Sequence, residues 1–394
     1  MTERLYYTDS FLREFDAQAI SCEASGERFE VVLDRTAFYP TSGGQPHDTG
    51  RLGDANVVEV FDREADDAVV HVTDRPVLPG AVHGTIDWER RFDHLQQHTG
   101  QHLLSAAFLK LFRFPTVSFH LGREISTIDL EAPSVVPRHI EEAERLANQV
   151  IFEDRPIAVS FREKEELAGL GVRKRVNREG TLRLVGIEEF DIQPCGGTHA
   201  ARAGQVGAIL VRKIERQKHL WRVEFVCGAR AIRNARADFE MLGAAAREIG
   251  CGPAELPEMV KKLIDEGKRA NRERARTMER LAEFEVQSLL ARGEKIIVHA
   301  FDEGDAAFVR RVAATLAKEQ GVQAVVASRA ARHLVFARAE DVAGDMNLML
   351  HEILTPAGGK GGGTKEFAQG TFPEAANVEE LMARAREQMA RESA

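Results

Sequence analysis

Cysteine is scarce: the 394 residues hold only Cys22, Cys195, Cys227 and Cys251. Four thiols so scattered exclude a disulfide framework and fit a reducing compartment. Long apolar runs are missing as well. None reaches the ~18 residues that a membrane helix needs, so no membrane-spanning helix and no membrane partner is expected. The opening MTERLYYTDSFLREFDAQ is charged early and has no apolar core, so no secretory signal is expected and the location is read as cytoplasmic. There is no excess of basic charge: the net charge is −9, which argues against a surface that binds nucleic acid all over. Hydrophobic residues make up 43% and charged residues 29%, the mix of an ordinary globular chain long enough for two or three cores. No internal repeat is visible.

The basic residues that exist are concentrated. Between Ala200 and Arg236 nine Lys or Arg stand against Glu215 and Glu224, a stretch able to face a phosphate backbone or to form a solvated surface. It follows Cys195-Gly196-Gly197-Thr198-His199, where two glycines allow a tight turn that brings a thiolate and an imidazole together. A second pair, His98 and His102, stands four apart at the head of an apolar helical run, on one face at 3.6 residues per turn. Either pair alone is an ordinary helix-end or turn feature. Together, three imidazoles and one thiolate predict one metal site of the kind that takes Zn²⁺.

In chain order, residues 1 to about 90 read as short strands separated by Gly and Asp turns, which predicts a small β-barrel. Within it, Thr36 to Gly50 carries paired glycines beside Pro46, with Thr36, Gln45 and Asp48 as polar handles. Helix follows from Arg90 and again over Arg138–Phe152, with a charged helix near 163–169 and strand-like runs between, giving an α+β domain. Two long helices, Ala229–Gly250 and Pro257–Arg292, predict a helical hairpin that acts as a spacer. The last hundred residues alternate strand and helix. They include a loop, Gly358-Gly359-Lys360-Gly361-Gly362-Gly363, whose glycines permit close approach to a ligand.

Taken in order, these motifs resemble the long-form freestanding alanyl-tRNA editing proteins. The resemblance rests on TAFYPTSGGQPHDTG (36–50), QQHTGQHLLSAAF (96–108), FDIQPCGGTHA (190–200) and GGKGGGTKEFAQG (358–370). It implies an α+β multidomain fold: a β-barrel at 1–90, a zinc-containing editing domain at 91–228, a helical hairpin linker at 229–293 and a C-terminal α/β DHH-associated domain at 294–394. It further implies a zinc-dependent deacylase acting in trans on alanine tRNA mischarged with serine or glycine. His98, His102, Cys195 and His199 fall at the metal ligands, and Thr36, Gly43, Gly44 and Gln45 at the turn closing over the aminoacyl group. The C-terminal domain, through Lys360 and Gly361, would hold tRNA and support a homodimer.

For catalysis the sequence offers Thr36, Gln45 and Asp48, with Asp129 and His120 as further general-base candidates. Thr36 is the nominee for reading the hydroxyl that separates serine from alanine. Four protein ligands usually close a structural zinc, whereas catalytic zinc keeps one position open, and sequence does not choose between them. Two other readings stay open: an editing enzyme for another tRNA, such as Ser-tRNA(Thr), and a zinc-stabilised RNA-binding protein without catalysis.

Overall fold

A computed structural model describes residues 1–167, 172 and 180–392. The chain forms two compact units, Met1–Ala244 and Ala245–Ala394. In the first, β1 (Glu3–Arg4) pairs in parallel with β4 (Arg35–Thr36). Six further strands close a barrel: β2 (Glu14–Ser25), β3 (Arg28–Leu33), β7 (Ala68–Thr73), β6 (Ala55–Arg63), β5 (Gly50–Leu52) and β8 (Gly80–Ile86), in that order around the wall. Alternate residues of β2, Phe15, Ala17 and Ala19, turn inward with Val31, Leu33, Val57 and Val60, as the two-residue period of a strand requires. Gly84 on β8 makes room for this core, since a Cβ there would lie 2.4 Å from the Phe15 ring.

From the barrel the chain enters α1 (Trp88–Phe112), capped by Asp87, whose side chain accepts the Arg90 amide. Every residue of α1 from His94 to Phe108 is buried, so this helix is central, not amphipathic. Around it lie β9 (Thr116–Leu121), β10 (Ser126–Leu130), α2 (Pro137–Phe152), β11 (Ile157–Glu163), β12 (Thr181–Ile187), β13 (Asp191–Pro194), β14 (Ile209–Gln217) and β15 (Leu220–Cys227). They form one sheet in the order β14-β15-β10-β9 and another in the order β11-β12-β13. Leu103, Leu104, Ala107 and Phe108 of α1, Val150 of α2 and Phe225 of β15 share one core. Of the charged helix expected near 163–169, Glu163 ends β11, Lys164–Leu167 form a short 3-10 turn, and 168–169 lie outside the described residues.

The two long helices are α3 (Gly228–Ile249) and α4 (Leu256–Leu290). In α4, Val260, Leu263 and Ile264 are exposed, but Ala282, Val286 and Leu289 are buried against α5 (Ala306–Leu316). The C-terminal third of this helix therefore belongs to a core and is more than a spacer. That core is built on a sheet in the order β16-β17-β18-β20-β19, namely β16 (Ile296–Phe301), β17 (Gln323–Ser328), β18 (His333–Arg338), β20 (Phe367–Thr371) and β19 (Lys360–Gly363). On β17, Ala324 and Val326 face α4 and α5, while Val325 and Ala327 face α6 (Met346–Leu354) and α7 (Val378–Glu392). Helices on both faces explain why this strand is buried throughout and apolar at its four central residues.

The glycine-rich stretch is not a loop as expected: Lys360–Gly363 is an edge strand paired with β20. Its glycines serve packing. A Cβ on Gly361 would lie 2.4 Å from the Gln369 carbonyl oxygen, and one on Gly363 2.2 Å from that of Phe367. Lys360 and Gly361 are exposed on this edge. Among the described residues no helix is long and apolar enough to cross a membrane.

Candidate metal centre

Helix α1 presents His98 and His102 one turn apart, and the turn after β13 presents Cys195 and His199. Their ligand atoms all lie within 4.8 Å of one another. Cys195 Sγ is 3.4 Å from His98 Nε2 and 3.2 Å from His199 Nε2. Donors on a tetrahedron with bonds of about 2.0–2.3 Å are separated by roughly 3.3–3.6 Å, so the spacing and the donor chemistry fit a zinc-sized ion.

Two of the imidazoles hydrogen-bond a polar side chain through the outer nitrogen, the arrangement that fixes ring orientation at metal sites, and the third faces a carboxylate beyond hydrogen-bond distance. His98 Nδ1 lies 2.7 Å from Gln45 Oε1, His199 Nδ1 3.2 Å from Thr99 Oγ1, and His102 Nδ1 3.7 Å from the Asp191 carboxylate. Gln45 is itself held, its amide nitrogen donating to Thr198 Oγ1 at 2.8 Å. Arg183 grips the turn by donating to the Gly197 carbonyl at 3.0 Å and the Tyr7 carbonyl at 2.9 Å.

The electrostatics favour a thiolate at Cys195. Burial pushes the Cys195 thiol up, but the adjacent His98 and His199 rings, with hydrogen bonds from His102 and His199, hold it well below its usual value. Burial drives His199 down to about 3. For His102 burial acts in the same direction, yet Asp191 and Cys195 outweigh it and raise the ring to about 9. A deprotonated sulfur is the form a metal takes.

The cluster adjoins a cavity of about 830 Å³ whose wall includes Tyr39, Ser42, Gly43, Gln101, Thr116 and Gln193. Gly43, expected near the aminoacyl group, lines it, and both Gly43 and Gly44 need the positive φ that glycine tolerates, +56° and +85°. The structure places three other expected residues differently. Thr36 is wholly buried in the barrel, its hydroxyl 2.8 Å from His71 Nε2 and accepting the Phe38 amide, so it is not on the cavity wall. Gln45 is an outer partner of His98. Asp48 is fully buried in an ion pair with Arg91, which also donates to the Ser10 and Ala37 carbonyls. A carboxylate so engaged is an anchor between loop and helix, not a base open to substrate. Asp129 is likewise paired with Arg222, and His120 is exposed on β9 and not on the cavity wall. Sequence reasoning missed Asp191, Gln193, Thr99 and Arg183. The two-residue period that puts Asp191, Gln193 and Cys195 on one strand face was the available signal.

His71 supplies a test of the barrel. Its Nδ1 faces the Val31 carbonyl at 3.1 Å, and burial lowers its pKa to about 4. Below pH 6.5 the unfolded ring takes a proton that the folded one refuses, so stability is full above 6.5 and falls as the pH drops towards 4. The total is about 3 kcal/mol. In denaturant titrations at pH 4.5 and 7.5, the difference should shrink by most of that amount in a His71→Met variant.

Of the nine basic residues at 202–236, five are paired: Arg202 with Asp154, Arg212 with Asp238, Lys213 with Glu215, Arg222 with Asp129 and Arg230 with Asp93. Arg216, Lys218, Arg233 and Arg236 are exposed and in no ion pair among the described residues.

Comparison with known proteins accounts for this arrangement. Residues 182–224, with Cys195 and His199, match the threonyl and alanyl tRNA synthetase second additional domain. Residues 3–90 match the tRNA synthetases class II (A) model and 293–391 the DHHA1 domain. Alanyl-tRNA editing protein AlaX-L of Pyrococcus horikoshii is 32% identical over 387 residues, 94% of each chain. The chain belongs to the alanyl-tRNA editing proteins. Another member, alanyl-tRNA editing protein Aarsd1 of Mus musculus, is 33% identical over 79% of this chain and 80% of its own. Alanine–tRNA ligase of Pyrococcus furiosus is 32% identical over 97% of this chain, which spans 43% of that ligase. In an alanyl-tRNA editing protein, a metal cluster beside a cavity is a candidate editing centre.

Proposed function

We propose that this chain is a trans-editing deacylase that hydrolyses the ester of Ser-tRNA(Ala), and of Gly-tRNA(Ala), with Zn²⁺ held by His98, His102, Cys195 and His199. The observation that carries the reading is the four-donor cluster at the wall of an 830 Å³ cavity, in a chain alignable with an editing protein over 94% of both lengths. Three imidazoles and one thiolate are the donor set that zinc favours over harder cations. When bound, the ion would supply Lewis acidity at the cavity wall. The protein's own part is placement. Gln45, Thr99 and Asp191 orient the three rings, and Tyr39, Ser42 and Gly43 wall the space where the aminoacyl group lies. Water oxygen adds to the ester carbonyl carbon, the bond to the terminal ribose oxygen breaks, and that oxygen leaves with a proton.

The work is divided along the chain. Residues 1–90 supply the glycine-rich turn, 91–228 the zinc and cavity, 229–293 the helical linker, and 294–394 a tRNA-holding domain that supports a homodimer. There, Lys360 and Gly361 on the edge strand contact the tRNA, and the protein works in the cytoplasm. The test is to incubate purified protein and a His102→Ala variant with Ser-tRNA(Ala), Ala-tRNA(Ala) and Ser-tRNA(Thr). Ser-tRNA(Ala) should be deacylated at least ~100-fold faster than the other two, in keeping with hydroxyl-based selectivity, and the variant should be inert. Faster loss of Ser-tRNA(Thr) would move the substrate to threonine tRNA. If folded, metal-loaded protein left every ester intact, the reading as an enzyme would fall.

A further inference from the structure

With Thr36 occupied inside the barrel, something else must recognise the amino acid. Most polar side chains on the cavity wall are already engaged. The Tyr39 hydroxyl donates to the Ser42 carbonyl, Thr116 to Ser105, Ser118 to Asp129, and the Gln101 amide nitrogen to Ser105 at 2.8 Å. Gln193 differs. It lines the cavity, is 6% exposed, and its amide nitrogen has no hydrogen-bond acceptor among the described residues. Buried amide donors are nearly always paired, and an orphan at a functional site calls for an acceptor from outside the protein.

Its position is specific. On β13, Gln193 lies two residues from Asp191, the partner of His102, and two from the ligand Cys195. At about 3.3 Å per residue, the three side chains leave one strand face at intervals of roughly 6.6 Å. The backbone is fixed by the pairing of Gln193 with Val185 on β12 and by Arg183, which holds the turn beyond it. A neutral donor so placed cannot take up a metal ion, but it can meet a neutral oxygen on a group lying against the cluster.

We infer that Gln193 is the specificity-determining residue of the editing site, its side-chain amide donating to the hydroxyl oxygen of the misattached serine. The inference rests on the deacylase reading above. It has the direction that editing needs: serine satisfies the donor, whereas alanine leaves it unpaired.

The test uses the full-length, zinc-loaded protein and its Gln193→Leu and Gln193→Asn variants on three substrates: Ser-tRNA(Ala), Gly-tRNA(Ala) and alanine tRNA carrying 2-aminobutyrate, in which a methyl replaces the hydroxyl. The wild type should prefer serine to 2-aminobutyrate by at least ~100-fold in kcat/KM. In Gln193→Leu that preference should collapse to within about tenfold, with serine losing more than glycine. Zinc content should stay at one per chain, and Gln193→Asn should recover part of the preference. Equal losses on all three substrates would assign Gln193 to the shared ester or to structure and overturn the inference. So would an undiminished preference in either folded variant. If the wild type hydrolyses none of the three, it is the deacylase reading that fails.

Discussion

Replacing Gly197 by alanine should cost the protein its metal without altering any ligand. A Cβ at that position would lie 2.1 Å from His98 Cε1, 2.5 Å from its Nδ1 and 3.1 Å from Gln45 Oε1. The ring cannot yield easily. It is packed 5.2 Å from Phe119 and 4.5 Å from His199, centroid to centroid, and its Nδ1 is tied to Gln45. The methyl therefore displaces a ligand and its outer partner together. Loss of outer partners alone typically lowers metal affinity 10–100-fold, so Gly197→Ala should lose at least about 100-fold. Gly196→Ala is the control: its Cβ would meet nothing closer than the Tyr7 hydroxyl at 3.7 Å, and metal affinity should stay within about threefold. Competition with a chromophoric chelator reads both values. Equal affinities in the two variants would mean that His98 is not held where the structure places it.

The second large effect concerns stability. Arg91 and Asp48 are both wholly buried, and their pair joins the start of α1 to the loop after the glycine-rich turn. Asp48 also accepts the Tyr39 amide at 2.7 Å, and Arg91 donates to the Ser10 carbonyl at 2.9 Å. Ser10 Oγ in turn accepts the His199 amide at 3.3 Å. Arg91→Met leaves a carboxylate buried without its counter-charge, which should destabilise the unit by about 3–5 kcal/mol. Because the cost lies in the stranded charge, Arg91→Met combined with Asp48→Leu should recover a substantial part of it. Denaturant unfolding of the single and double variants measures this. A double variant no more stable than Arg91→Met would show that the backbone contacts of Arg91, not the charge pair, dominate.

These two cases mark where sequence ceased to be informative. The ligands were legible because each pair is local: i and i+4 on a helix, and four positions across a glycine turn. Thr36, Gln45 and Asp48 were legible as polar residues in an unusual loop, but their roles depend on partners far along the chain. Thr36 is claimed by His71, Asp48 by Arg91 and Gln45 by His98, at separations of 35, 43 and 53 residues. No local period encodes such pairings. β2 leaves only a faint trace in the sequence, because its inward face carries Phe15, Ala17 and Ala19, a weak alternation in which two of three members are small. The C-terminal glycines read as a loop because glycine usually signals one. Here the missing side chains let β19 pair closely with β20 beneath α6.

The most direct measurement of the central claim is single-turnover deacylation of Ser-tRNA(Ala) by one protein sample in three states: as purified, stripped with chelator, and reloaded with zinc. The account expects activity to vanish on stripping and to return in proportion to zinc, saturating at one ion per chain. Undiminished hydrolysis by stripped protein that remains folded would contradict it.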